Sequence, residues 1–164
     1  MKKIFGFALA CALACSMPIA NANAAQPGAS VLAKQLDDKG AKATVSGMSE
    51  SEWDNVLTRI DAGNAAWVAL APKLAEGTDG GYSEDLGIGL AFALPKNPKA
   101  VLKAIDPNNG PVLGVGRVCS APFIEDTVKD IPAYIKRAKA ALHGVHDPAL
   151  QNVRDACLAE LAKP

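Results

Sequence analysis

Several groups of residues in this chain have chemistry to offer, and their spacing decides how far each offer goes. His143 and His146 flank Gly144 and Val145, with Asp147 adjacent. Imidazoles and a carboxylate are metal-ligand types. A His pair three apart across a Gly, however, does not share a regular helix face, and no third ligand is specified. The pattern reads as a solvated turn between helices, and no metal is expected. Glu84-Asp85 and Glu125-Asp126 are two pairs of neighbouring acids. A carboxylate-dependent hydrolase needs two carboxyls facing each other across a substrate, not side by side in sequence. Such a reading must pair Glu84 or Asp85 with Glu125 across space. The competing reading is charge complementation at a helix start for Glu84 and Asp85, and a solvated loop for Glu125 and Asp126.

Nucleophiles are sparse. Neither Gly-x-Ser-x-Gly nor Ser-x-x-Lys occurs in residues 25–164. Cys119 with His143 or His146 as base is conceivable as a thiol centre, but a second cysteine at 157 favours a crosslink. Gly87-Ile88-Gly89 lacks the later glycine of a phosphate-cradling loop and lies inside a helical pattern, so no cofactor is expected. Trp53 and Trp67 have rings able to stack on a sugar, yet they recur at helical spacing, which points to a core.

Residues 1–24 read as a signal peptide. Lys2 and Lys3 precede an apolar run, Ile4 to Cys15, that is too short to span a bilayer. Pro18 follows, and Ala22-Asn23-Ala24 offers small residues for cleavage after Ala24, with Ala22 and Ala25 as alternatives. Ala8 and Ala12 stand where a lipid anchor on Cys11 or Cys15 would need a large aliphatic residue, so no such anchor is expected. Without Lys2 and Lys3, the 17 basic residues fall to 15 against 17 acidic ones, a net charge of −2. No basic face is implied, which argues against nucleic acid as a partner. Two cysteines remain, and export to the oxidising periplasm predicts a Cys119–Cys157 disulfide.

The elements that would position these groups are helical. Trp53, Val56, Leu57, Ile60 and Gly63 are echoed fourteen residues on by Trp67, Leu70, Ala71, Leu74 and Gly77. Each set is one helix face followed by a glycine suited to the left-handed position past a helix end. The pair predicts a helical hairpin with both tryptophans in one core and a kink at Pro72. Upstream, Ser30 caps a short helix with Val31, Leu32 and Leu36 on one side. Ala41 to Gly47 reads as extended or irregular, the one candidate strand, and alone it has no partner. Ser49-Glu50-Ser51-Glu52 is a capping box. Ser83 is expected to cap an all-apolar helix through Leu94, whose Gly87 and Gly89 suit a close neighbour. Asn97-Pro98, Asp130 and Asp147-Pro148 are further helix starts. Leu150, Val153, Cys157 and Leu161 share one face, pointing Cys157 inward.

The run Gly40-Ala41-Lys42-Ala43-Thr44-Val45, the tryptophan hairpin, Gly77-Thr78-Asp79-Gly80-Gly81, Val118-Cys119-Ser120-Ala121-Pro122-Phe123 and Asp155-Ala156-Cys157-Leu158 together resemble a group of small exported bacterial proteins of uncharacterised function. The resemblance implies a secreted helical domain and carries over no catalytic residues. At the level of architecture, the stacked hairpins are similar to HEAT-type helical repeats.

The expectation is therefore an all-α protein of five or six helices in antiparallel hairpins, held by one disulfide. Residues 25–48 form an N-terminal extension and 49–164 the helical domain. Its expected function is non-catalytic: a periplasmic module binding a protein or small ligand. An inhibitor or immunity protein against a cell-wall-active enzyme is one alternative, and a carboxylate-dependent hydrolase is the other. The candidate binding residues are Thr78, Asp79 and Tyr82 in one loop, and Phe123, Glu125 and Asp126 in another.

Overall fold

The apolar stretch at the middle of the chain forms the longest helix and lies at the centre of the core. The computed structural model describes residues 28–124 and 127–163. The signal-peptide reading of residues 1–24, and Glu125 and Asp126, lie outside them. Helices run in the order α1 (Ala29–Lys39), α2 (Ala41–Ser46), α3 (Glu50–Asp61), α4 (Ala65–Val68), α5 (Ala71–Ala75), α6 (Gly80–Ala93), α7 (Pro98–Ala104), α8 (Val115–Val118), α9 (Ile131–His143) and α10 (Gln151–Glu160). A 3-10 turn, Pro148–Leu150, leads into α10. The chain is all-α: α1, α3, α6, α9 and α10 carry ten residues or more, and the described residues contain no strand. No described helix is long and apolar enough to cross a membrane.

Helix α3 begins at the capping box. Ser49 Oγ accepts from the Glu52 amide and Glu52 accepts from the Ser49 amide at 2.8 Å. It ends at Gly63, whose φ of +72° is the left-handed conformation expected there. A side chain at Gly63 would also strike Lys96 and Asn97, because Asn97 caps α7 and donates to the Gly63 carbonyl at 2.9 Å. Trp53, Val56 and Ile60 are buried on one face of α3. That face packs most extensively on α6, where Gly89 lets the two helices approach. A Cβ there would lie 2.8 Å from Asp61 Oδ1 and 3.6 Å from Ile60 and Leu57. Of the α6 glycines, Gly89 thus meets α3 toward its C-terminal half, while Gly87 faces the Val112 carbonyl.

Four expectations are corrected. Residues 41–47 are not extended: 41–46 form α2, in which Thr44 and Val45 are buried and the Thr44 hydroxyl donates to the Gln35 and Gly40 carbonyls. No partner strand exists among the described residues, so β-branched residues sit on a helix packed inward instead. The second tryptophan unit is not one kinked helix. Pro72 has no amide donor and crowds the carbonyl of Val68, which is where α4 ends before α5 begins. Gly77 does not cap a helix in the left-handed conformation, since its φ is not positive. It makes room, as a Cβ there would lie 2.4 Å from the Ala41 carbonyl oxygen. Finally, Val31 is 46% exposed while Leu32 and Leu36 turn inward.

Cys119 and Cys157 form the expected disulfide, with Cα atoms 5.2 Å apart and both residues fully buried. It ties the end of α8 to the inner face of α10. Closing a loop over a separation of 38 residues is worth about 4 kcal/mol in unfolded-state entropy. The double variant Cys119→Ala, Cys157→Ala should lose about that much in denaturant unfolding.

Asp61 Oδ1 is buried against Gly89 with no hydrogen-bond partner among the described residues. Burial raises the pKa of this carboxyl above 3.8, and the Lys96 charge opposes the rise in part. A raised carboxyl favours the protonated form in the folded state. That contribution is present below the ordinary value of 3.8 and is lost as pH rises through the folded value. Asp61→Asn should therefore be more stable than the parent at pH 7, with the difference shrinking as pH falls through the folded value toward 3.8. Thermal melts across this range check it.

Candidate functional site

The two loops singled out from the sequence are held by aromatic anchors, and their anchors are residues that the sequence offered as contacts. Helix α6 starts earlier than Ser83: Asp79 occupies the N-cap and the helix begins at Gly80. The Ser83 hydroxyl donates to Thr78 Oγ1 at 3.0 Å, and Thr78 donates to the Ala75 carbonyl at 3.1 Å. Both hydroxyls hold the turn together. Tyr82 stacks on Trp53 with ring centroids 4.8 Å apart and planes 14° apart. The Trp53 indole donates to Asp85 at 3.4 Å. Of the three candidates there, Asp79 is exposed, whereas Thr78 and Tyr82 are partly buried. Glu84 and Asp85 lie in the second turn of α6 rather than the first, which weakens their role at the helix dipole.

The second loop leaves the disulfide and turns sharply. Ala121 has φ +55°, unusual for a residue with a side chain. The Phe123 amide donates back to the Ala121 carbonyl at 2.8 Å, closing a three-residue turn on Pro122. Phe123 turns inward between Phe92 at 4.7 Å and Tyr134 at 4.6 Å, the latter edge-on. Tyr134 donates its buried hydroxyl to the Ala91 carbonyl at 2.9 Å, and burial keeps that phenol protonated far above its usual range. Ile124, next in the chain, is 59% exposed.

Beside the second loop lies a groove of about 240 Å³. Glu84, Gly87 and Ile88 of α6 form one side; Gly116 and Arg117 of α8, with Ser120 and Pro122, form the other. Arg117, Ser120 and Ile88 were not singled out from the sequence. The available signal was Gly87 and Gly116, one on each side of the groove. The groove brings Glu84 beside the second loop.

The remaining candidates are dispersed. Asp147 caps the 3-10 turn through the Ala149 amide and pairs with Lys99 at 3.1 Å. Those two contacts, Lys99 first, hold its carboxyl below the usual range. His143 and His146 are exposed, and the described residues contain no group of three or more metal-ligating side chains. Cys119 is in the disulfide and is no thiol nucleophile. The chain matches no protein-family model, no curated protein and no solved structure.

Phe123 and Ile124 should separate cleanly. Phe123→Ala removes a ring from a three-ring cluster and should cost about 2–3 kcal/mol of stability. Ile124→Ala should change it by less than about 0.5 kcal/mol. Paired denaturant titrations distinguish the two.

Proposed function

We propose that this chain is a non-catalytic binding module, exported to an oxidising compartment, that holds a partner protein on the tip of residues 120–124. The observation that carries the reading is Ile124. It is a large apolar side chain, 59% exposed, on a loop clamped at one end by the disulfide and at the other by Phe123 between Phe92 and Tyr134. An exposed aliphatic residue on a rigid support carries low ordering cost on binding, which is how small contact tips reach useful affinity. The left-handed Ala121 adds support: a backbone of higher energy survives where its surroundings hold it, and such places concentrate at contact sites. The adjacent groove supplies Glu84 and Arg117 as polar rim to an apolar centre. The disulfide is compatible with the oxidising compartment.

Immobilised protein incubated with an envelope extract of its own cells tests this. The parent should retain a defined partner. Ile124→Asp should lose about tenfold or more in retention, the scale of a central contact residue, with an unchanged melting temperature. Equal retention by Ile124→Asp overturns the proposal. Phe123→Ala is the wrong probe, since loss of its ring unsettles the fold as well as the tip.

A further inference from the structure

The two tryptophans of the repeat have different surroundings. Trp53 is 1% exposed and its indole is hydrogen-bonded to Asp85. Trp67 is only half-buried, and among the described residues its indole N–H has no hydrogen-bond partner. It forms one wall of a cavity of about 200 Å³ between α1, α3 and α4. Leu32, Met48 and Val56 supply the apolar walls, and Gln35, Glu52 and Asn55 the polar ones. The placement follows from helical spacing: Leu32 and Gln35 share a face of α1, and Glu52, Asn55 and Val56 share a face of α3.

The polar wall offers three side-chain acceptors, the Gln35 and Asn55 oxygens and the Glu52 carboxylate, beside amide and indole donors. Asn55 commits its amide nitrogen to the Ser51 carbonyl at 2.7 Å, which leaves its oxygen free to accept. Glu52 carries the one formal charge on the lining. Its Oε2 takes hydrogen bonds from both the amide and the hydroxyl of Ser49, at 2.8 Å each. Those bonds keep the carboxyl ionised, below its usual range, and Oε1 is left over. The start of α3 contributes about half a positive charge, against full negative charges on Glu50 and Glu52 in its first turn. The formal charge on the lining is negative. An aromatic face beside it favours cations further.

We propose that this cavity binds a small organic cation: an ammonium group on a short arm that carries a single apolar ring. The ring lies among Leu32, Met48 and Val56, and the ammonium faces Glu52, the Asn55 oxygen and the Trp67 indole. Size sets the class. A cavity of about 150 Å³ admits benzene, whereas pockets for drug-sized ligands start at about 300 Å³. No lining residue belongs to the tip at 120–124, so the site stands or falls apart from the partner-binding reading.

Titration of 2-phenylethylammonium chloride into the nitrogen-15-labelled full chain, at low ionic strength, tests the proposal. The chain has two tryptophans, so two indole N–H signals report, assigned with a Trp67→Phe variant. The Trp67 signal should move and the Trp53 signal should not. The ammonium should bind about threefold to fivefold more tightly than neutral 2-phenylethanol, the scale of one exposed charge pair, and phenylacetate should bind weakest. Glu52→Gln keeps the capping box, which accepts either residue. It should abolish the preference for the ammonium while leaving the alcohol's affinity unchanged. A Trp67 signal that stays still, an ammonium bound no more tightly than the alcohol, or a preference that survives in Glu52→Gln overturns the proposal. The comparison of the three probes on the parent protein decides the matter even if Glu52→Gln were to misfold.

Discussion

Everything in this fold hangs on the contact of α3 with α6. It is a close helix crossing permitted by one missing side chain, at Gly89, which brings Ile60, Leu57 and Asp61 against the α6 backbone. At the other end of the same interface Tyr82 lies flat on Trp53, and the Trp53 indole reaches Asp85. Helix α6 is therefore gripped along its length, and its remaining faces become the platform for everything else. Phe92 anchors the second loop, Ala91 receives the Tyr134 hydroxyl, and Glu84 and Ile88 border the groove. An amphipathic helix serves one neighbour. A helix apolar on all sides, as α6 is from Leu86 onward, has to be surrounded.

The parts of the fold legible in the sequence were those with local physics. Caps were readable because a side chain three residues from its amide leaves a fixed signature: Ser49 with Glu52, Asn97 with Ala100, Asp130 with Ala133. Inward faces were readable from period, as with Val153, Cys157 and Leu161. What was not legible depended on distant neighbours. Nothing near Gly77 in sequence says that the Ala41 carbonyl will occupy its side-chain space. Nothing near Thr44 and Val45 says that they will be buried on a helix. The start of α6 was misplaced because Ser83 looks like a cap, yet its hydroxyl is held by Thr78 inside the first turn.

The candidate site shows the same limit in another form. Tyr82 and Phe123 have the residue types favoured at recognition surfaces, and both are used as internal anchors. An aromatic ring gives large contact area at low entropy cost whether it faces a partner or the core, so type alone cannot assign it. Trp53 and Trp67 sharpen this. They occupy equivalent places in the repeat, and they diverge because Pro72 breaks the second unit and leaves Trp67 on a four-residue helix at the edge of the core. The repeat is a repeat of pattern, not of environment.

The crosslink also imposes a chronology. Cys119 precedes its partner by 38 residues, so a chain emerging amino end first displays that thiol, and the tip that follows it, well before Cys157 arrives. The rings of Phe92, Phe123 and Tyr134 can assemble in the interval, since all three lie ahead of α10. The tip thus acquires its final stiffness last. Maturation of the tip and completion of the carboxyl-terminal helix become a single event.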